Sequence, residues 1–410
     1  MDNHQTFGER VNSTIRLEAP AYEVVPDLGP VPAAQQPEWH DLPHLARVRA
    51  KLAAEPGLVR ADHVDLLKSA LAGVAQGRAH VLQAGDCAED PAHRTRGHVS
   101  RKTALLDLLA GTLKLIAGKP VVRVGRIAGQ FTKPRSVGVQ VVGGVELPVY
   151  RGHMINAPGP DPESRRPDPD RILECYRAAH EVMGHLGWFD GIGQARVDAP
   201  VWTSHEALLL DYEIPMVRQD GPGRPVLAST HWPWIGNRTR QVDGAHVALL
   251  AQVRNPLSCK VDADITVDEL LALCERLDPG REPGRLTFIS RMGAEIVADR
   301  LPPLVVAVRD AGHPVVWLCD PMHGNTIRTP DGLKTRLVDT MVREVTEFQT
   351  AVTAAGGVAG GVHLETTTED VTECVTDESE LDRVGDRYTS LCDPRLAPAQ
   401  AVAVVSAWRG

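Results

Sequence analysis

Eight short apolar runs are the strongest constraint on how this chain folds. They lie at residues 79–84, 121–124, 201–203, 226–229, 257–261, 286–290, 315–318 and 361–364. The runs are mostly apolar and do not alternate strictly between apolar and polar residues, which is typical of strands buried on both faces. Helical patterns at residues 101–116, 171–186, 267–277 and 299–311 separate several of the runs. The pattern predicts an α/β fold, specifically a (β/α)8 TIM barrel of eight parallel strands.

The first part of the chain differs from the part that carries the apolar runs. Residues 1–78 are rich in proline and charge and contain one helical pattern, at residues 43–76. We therefore predict an N-terminal extension, residues 1–78, that packs on a catalytic barrel, residues 79–410. A chain of 410 residues with 43% hydrophobic content can bury one large core, so the pattern requires no second core domain.

Charge and hydropathy narrow the class of protein. The formal net charge is −9 and the basic residues are dispersed, which argues against a general nucleic-acid surface. No apolar run approaches the roughly 20 residues that span a membrane, and residues 1–20 are too polar for a secretory signal. The seven cysteines lack paired spacing, so they form neither a disulfide framework nor a zinc ribbon. We expect a cytoplasmic protein that acts on a small molecule.

Polar residues follow nearly every apolar run, where each predicted strand ends. In chain order they are Cys87, Arg126, Lys133, Arg135, Ser136, Glu206, His231, Arg238, Lys260, Arg291, Asp320, His323 and Glu365. The carboxyl ends of the strands of a TIM barrel meet at one face, where catalytic groups gather. The sequence therefore predicts one active site assembled from distant parts of the chain.

Four of the polar residues suit a divalent metal ion. Cys87, His323, Glu365 and Asp393 offer one thiolate, one imidazole and two carboxylates, a mixed set suited to Mn, Fe, Co or Zn. Each residue also has an ordinary structural interpretation. A lone histidine after a strand is usually structural, Glu365 can pair with a barrel arginine, and Asp393 can cap a helix or a turn. Only the joint pattern favours a metal site.

Cations at the ends of buried strands indicate an anionic ligand. Lys260 and Arg291 end two of the runs, and an unpaired buried cation costs several kcal/mol. Arg126 and Arg238 add guanidinium groups that bind phosphate or carboxylate in a bidentate manner. A doubly anionic ligand such as a phosphorylated keto acid fits this set.

A second anion site is predicted in the segment Lys133-Pro134-Arg135-Ser136. Its alternative interpretation is an ordinary solvated turn. Two anionic substrates beside one Lewis acid suggest that a carbon–carbon bond forms onto a metal-polarised aldehyde.

Motifs along nearly the whole chain resemble one enzyme family, the type II 3-deoxy-D-arabino-heptulosonate 7-phosphate (DAHP) synthases. The segments that carry the resemblance include Gln35-Gln36-Pro37-Glu38-Trp39, Gly85-Asp86-Cys87-Ala88-Glu89, Arg126-Ile127-Ala128-Gly129-Gln130-Phe131, Cys319-Asp320-Pro321-Met322-His323-Gly324-Asn325-Thr326, Gly361-Val362-His363-Leu364-Glu365 and Cys392-Asp393-Pro394-Arg395-Leu396.

The resemblance implies condensation of phosphoenolpyruvate with erythrose 4-phosphate to DAHP and phosphate, the first step of the shikimate pathway. It implies a metal site at Cys87, His323, Glu365 and Asp393, with manganese preferred over cobalt, iron or zinc, and a homo-oligomer. Catalytic roles fall to Lys133, as proton donor, to Glu206, which orders water, and to Lys260. Substrate binding falls to Arg126, Lys133, Arg135, Ser136, Asn237, Arg238, Lys260 and Arg291.

Several positions depart from the family pattern: His153, Asn237, Ser258, Thr366 and Thr368. They bear on which aldehyde is used, so a modified amino or imino tetrose phosphate is an alternative substrate. The connection between Leu186 and Val201 is short, which predicts insensitivity to aromatic amino acids and resembles family members of secondary metabolism. A catalytically weak binding or regulatory homologue is a third alternative.

Overall fold

The structure is a computed structural model that describes residue 28 and residues 30–189 and 200–410. Eight short strands form its centre. They are β1 (His80–Gly85), β2 (Val121–Arg126), β3 (Trp202–Thr203), β4 (Trp234–Ile235), β5 (Leu257–Val261), β6 (Leu286–Ser290), β7 (Val316–Cys319) and β8 (Val358–Glu365).

The eight strands form the predicted parallel barrel. They pair in the order β3-β2-β1-β8-β7-β6-β5-β4, and every pair is parallel. A parallel bridge between Glu206, just after β3, and Trp234 of β4 joins the two edges of this sheet. Strands β5, β6 and β7 are buried at every position, as their continuous apolar runs predicted.

Helices surround the barrel and follow most of its strands. Those longer than one turn are α1 (Leu42–Ala54), α2 (Ala61–Ala75), α3 (Arg96–Ala117), α4 (Asp170–His185), α5 (Ala245–Gln252), α6 (Val267–Leu277), α7 (Val297–Asp310), α8 (Val338–Ala354) and α9 (Pro398–Ser406). No helix within the described ranges is long and apolar enough to cross a membrane.

Strand register brings polar side chains to the same level at one end of the barrel. Gly85, the last residue of β1, pairs with Arg126 of β2 on one side and with Glu365 of β8 on the other. Gly85 has φ +149°, and a Cβ atom there would lie 2.8 Å from the backbone oxygen of Arg126. Glycine is therefore needed for the close approach of these strands.

Two features of the fold differ from the sequence expectations. The helical pattern at residues 43–76 forms two helices, α1 and α2, because Pro56 disfavours helical backbone at Glu55 and ends the first helix. The run at residues 226–229 is not the fourth barrel strand. It pairs as Val226–Leu227 with Val217–Arg218 in a small antiparallel hairpin, and Ala228 accepts hydrogen bonds from Leu58 and Val59. The fourth strand is β4.

Candidate active site

Three candidate metal ligands meet at the carboxyl end of the barrel. Cys87 follows β1, Glu365 ends β8, and Asp393 lies in the loop before α9. Ligand atoms of the three residues all lie within 4.8 Å of one another. The Cys87 Sγ atom is 3.8 Å from Asp393 Oδ2 and also accepts a hydrogen bond from the Asp393 backbone N–H at 3.3 Å. Residues 306 positions apart thus share one small space.

The fourth candidate, His323, lies in the turn after β7, beside but outside the group of three whose ligand atoms lie within 4.8 Å of one another. Its Nε2 atom lies 3.4 Å from Glu365 Oε1, and its Nδ1 atom lies 2.7 Å from Asp320 Oδ2. A carboxylate on Nδ1 fixes the ring so that Nε2 faces the other ligands, as is usual for metal-binding histidines. Burial opposes ionisation of Asp320, but His323 and Lys260 hold its pKa well below the usual range.

The donor set and its charge fit a divalent ion. Burial alone would raise the pKa of Glu365, yet His323, Lys133, Arg336 and Arg126 hold it well below the usual range, so this carboxylate is ionised. Burial and a hydrogen bond with Cys392 raise the pKa of the Cys87 thiol. Binding of an ion by Cys87 therefore releases a proton. The mixed sulfur, nitrogen and oxygen donors suit Mn, Fe, Co or Zn.

A small cleft opens beside the candidate ligands. Its lining includes two candidate ligands, His323 and Asp393, and five cations: Arg126, Lys133, Arg238, Lys260 and Arg291. Within the part of the chain that the structure describes, neither Arg238 nor Arg291 forms an ion pair, and the Arg291 Nε atom is buried without a hydrogen-bond partner. Arg238 is exposed and Arg291 is partly buried, and unpaired cations that line one cleft favour an anionic ligand.

Glu206 and Trp234 line the cleft. The Glu206 Oε1 atom is buried without a hydrogen-bond partner, and burial raises the pKa of this carboxyl group. A Cβ atom on Gly236 would lie 1.8 Å from Oε1, so glycine makes room for the carboxylate. Trp234 presents its ring to Arg126 at 5.2 Å and to Lys260 at 5.9 Å from its centroid. The site therefore combines a metal-ligand set, an anion cleft and a free carboxyl group.

Comparison with known proteins identifies the family. The model of the class-II DAHP synthetase family matches residues 27–199 and 191–407. The chain belongs to this family. A probable phospho-2-dehydro-3-deoxyheptonate aldolase of Pseudomonas fluorescens is 57% identical over 92% of this chain and 94% of its own length. The phospho-2-dehydro-3-deoxyheptonate aldolase of Streptomyces coelicolor is 39% identical over 91% of this chain and 93% of its own.

A solved structure supports the fold of this class-II DAHP synthetase family member. The phospho-2-dehydro-3-deoxyheptonate aldolase of Francisella tularensis superposes with a TM-score of 0.52 at 14% identity, covering 88% of this chain and 97% of its own. At that identity the likeness concerns the fold alone.

Some residues that the sequence placed at the site do not line the cleft. Arg135 and Ser136 do not line the cleft, although their neighbours Lys133 and Pro134 do. His231 is fully buried beside the rings of Trp188 and Trp202. A histidine in such a setting is structural rather than catalytic.

The departures from the family pattern also separate in space. Asn237 lines the cleft, where its amide contacts Asp262. His153, Thr366 and Thr368 line a different, larger cavity behind the Cys87 segment, and Ser258 is buried within β5. Among these positions within the described chain, only Asn237 is placed to contact a substrate in the cleft.

Sequence reasoning missed several groups that complete the site. Arg336 donates to Glu365 Oε2 at 2.9 Å, and Lys334 donates to Asp393 Oδ1 at 2.7 Å. Both lie in the long connection between β7 and α8, where no strand end marks them. His363 accepts a hydrogen bond from Arg126 at 2.8 Å and contacts Gln83 at 2.6 Å, so its ring orients the arginine side chain. Its position two residues before Glu365, on the same strand face, was the available signal.

The Cys87 and Cys392 thiols interact closely enough to shift each other's pKa, which motivates a redox prediction. Interaction with Cys87 lowers the pKa of Cys392, so Cys392 is the more reactive thiol of the pair. We expect oxidation of chelator-treated protein to form a Cys87–Cys392 disulfide that blocks metal binding until a reductant is added. Peptide mapping measures the link, and Cys392→Ser is the matched control. Two free thiols after oxidation, with activity restored by metal alone, would contradict the prediction.

Proposed function

We propose that this protein condenses phosphoenolpyruvate with erythrose 4-phosphate to give DAHP and phosphate. The observation that carries the proposal is the cluster of four metal-ligand candidates beside a cleft with two unpaired arginines. An anionic phosphorylated keto acid matches the charge of that cleft. The names of the relatives, which are phospho-2-dehydro-3-deoxyheptonate aldolases, support the same reaction.

A divalent ion would be held by Cys87, His323, Glu365 and Asp393. Manganese is the proposed ion, with cobalt, iron and zinc as alternatives, and when bound it would supply Lewis-acid polarisation of the aldehyde carbonyl. His323 is pre-oriented for this role by Asp320, and Asp393 by Lys334. Both contacts are made between side chains of the protein.

The cations of the cleft bind the substrates. Arg126, Arg238, Lys260 and Arg291, with Asn237 at the rim, hold the phosphate and carboxylate of phosphoenolpyruvate, so that its enol carbon faces the aldehyde. Arg135 and Ser136 would hold the aldehyde phosphate from the segment that follows Lys133. Binding two anionic substrates in fixed orientation lowers the entropic part of the barrier.

Proton transfer falls to two buried groups. Lys133 lies 3.4 Å from Glu365 and 3.2 Å from Asp393, and these acidic neighbours raise its pKa, although burial opposes them. It carries a proton that it can donate to the aldehyde oxygen as this becomes the new hydroxyl group. Glu206 orders the water that adds to the oxocarbenium carbon before phosphate leaves, and burial raises the pKa of its carboxyl group, which makes it a better proton acceptor.

Consumption of phosphoenolpyruvate with a panel of aldehydes tests the proposal. Turnover with erythrose 4-phosphate supports it, whereas turnover only with an amino or imino tetrose phosphate supports the modified-substrate alternative. The alternative is retained because Asn237, which departs from the family pattern, lines the cleft. No turnover by the metal-loaded protein with any aldehyde would favour a binding or regulatory homologue. We further propose that the protein is cytoplasmic and forms a homo-oligomer. Light scattering of the purified protein tests the assembly.

We expect turnover to be insensitive to Phe, Tyr and Trp. The expectation rests on the short connection between Leu186 and Val201, of which residues 190–199 lie outside the described residues. Initial rates at saturating metal, with and without each amino acid, provide the measurement. Inhibition at micromolar concentration would contradict it and would require an effector site elsewhere in the protein.

A further inference from the structure

Five side chains of alternating charge form a continuous chain behind the metal-ligand candidates. Glu373 binds Arg395 at 2.8 Å, Arg395 binds Asp86 at 2.9 Å, Asp86 binds Lys102 at 2.8 Å, and Lys102 binds Glu89 at 3.2 Å. Asp86 directly precedes Cys87, and Arg395 follows Asp393 by two positions. The Asp86–Arg395 pair therefore ties the segment of one ligand candidate to the segment of the other.

Both ends of this charge chain are anchored to backbone. Glu373 accepts hydrogen bonds from the N–H groups of Thr389, Ser390 and Arg395, at 3.0, 2.8 and 2.7 Å. One buried carboxylate thus shapes the loop that contains Asp393. At the other end, Glu89 accepts from the N–H groups of Gly129 and Gln130, at 2.9 and 3.0 Å. The loop after β2, which carries Gln130 into the cleft, is held by the same chain.

The charges of the chain are buried and mutually satisfied. Side-chain exposure is 0% for Glu373, 12% for Arg395, 11% for Asp86, 14% for Lys102 and 3% for Glu89. Burial opposes ionisation of Asp86, yet Lys102 and Arg395 hold its pKa below the usual range. A buried pair of this kind contributes little net stability compared with apolar packing. The presence of the pair is therefore better explained by the loop geometry that it fixes.

We propose that Asp86 and Arg395 are positioning residues that set the spacing of the Cys87 and Asp393 ligands through their mutual ion pair. Neither side chain belongs to the ligand set. The pair acts on the loops that carry the ligands, as hydrogen-bond partners outside the ligand shell do in metal sites. The inference rests on the proposed metal site, but it concerns metal affinity and ligand geometry rather than turnover.

Two substitutions and their combination test the pair in the full-length protein. Asp86→Asn keeps the volume but turns an amide N–H₂ toward Lys102 or Arg395, and it leaves the Arg395–Glu373 pair intact. Arg395→Lys keeps the charge but cannot reach both carboxylates. Arg387→Lys is the matched control, because Arg387 lines the same cavity as Asp86 and Arg395 and pairs with exposed Glu369 at 3.5 Å.

Titration with Co²⁺ supplies the readout. Dissociation constants and the thiolate-to-cobalt absorption band report affinity and ligand geometry at Cys87 without substrate. We expect each variant to bind Co²⁺ roughly 10–100-fold more weakly, with a shifted band, while Arg387→Lys matches the wild type. The double variant should lose little more than the worse single one, because both changes break the same contact.

Folded variants that bind Co²⁺ with wild-type affinity and spectrum would overturn the proposal. So would a loss of binding that only follows the unfolded fraction in thermal melts, since that marks a general structural role. Should Arg395→Lys fail to fold because Glu373 loses its partner, Asp86→Asn still decides the question. A wild-type protein that shows the cobalt–thiolate band but consumes no phosphoenolpyruvate would refute the proposed reaction and leave the positioning role standing.

Discussion

Replacing His323 by alanine should abolish phosphoenolpyruvate consumption, and chelation of the wild type should do the same. His323 offers its Nε2 atom beside Glu365, while Asp320 holds the opposite ring nitrogen. Its loss removes one of the four proposed ligands and, within the described residues, leaves Lys260 as the ion-pair partner of Asp320. Lewis-acid stabilisation amounts to several kcal/mol, so a fall of about 10³-fold or more is expected, measured as initial rate with metal in excess.

The controls separate metal loss from unfolding. His40→Ala removes an exposed imidazole from the part of the chain before β1 and should retain the wild-type rate and metal content. Glu365→Ala should abolish turnover as His323→Ala does, although it also leaves Arg126, Arg336 and Lys133 without their shared carboxylate. His323→Ala is therefore the cleaner test of the metal assignment, because it does not remove the carboxylate that these three cations share. Full activity in that variant, or in chelated protein shown to lack metal, would refute the metal assignment.

The barrel was predictable because continuous apolar runs and their number reflect the environment of parallel strands. The prediction was wrong at the fourth strand, where hydrophobicity pointed to residues 226–229. The true strand, β4, has only two residues and follows Pro233, so it carries almost no periodic signal. Its identity is set by tertiary pairing, through the bridge from Trp234 to Glu206. Propensity and pattern are weak where a strand is this short.

The candidate site was predictable to the extent that it follows strand ends. Arg126, Lys260 and Glu365 lie at such ends, and the structure brings all three to one place. Arg336 and Lys334 were not predictable, because they reach the ligands from a connection with no regular pattern. The Asp86–Arg395 pair joins residues 309 positions apart, so no local signal could announce it.

Replacing Arg291 by methionine should weaken the use of phosphoenolpyruvate without destabilising the fold. Arg291 lies at the end of β6 with its Nε atom buried and without a hydrogen-bond partner. Within the described chain no carboxylate pairs with Arg291, so removing this arginine leaves no carboxylate unpaired. Removal of Lys260 differs, because Lys260 binds Asp320. The substitution also relieves the desolvation of an unpaired cation, so the melting temperature should stay the same or rise.

The expected loss of activity follows from the contact that Arg291 makes with phosphoenolpyruvate in the proposed function. Removing one partner of a buried charge-assisted contact with the substrate costs about 2–5 kcal/mol, or roughly 30- to 4,000-fold in kcat/KM. Much of it should appear in the KM for phosphoenolpyruvate, because the guanidinium binds the substrate in the ground state as well as in the transition state. Arg276→Met, an exposed arginine on α6, should change neither constant. An unchanged KM and kcat in folded Arg291→Met would remove this arginine from the substrate site, and a loss that accompanies a lowered melting temperature would assign it a structural role instead.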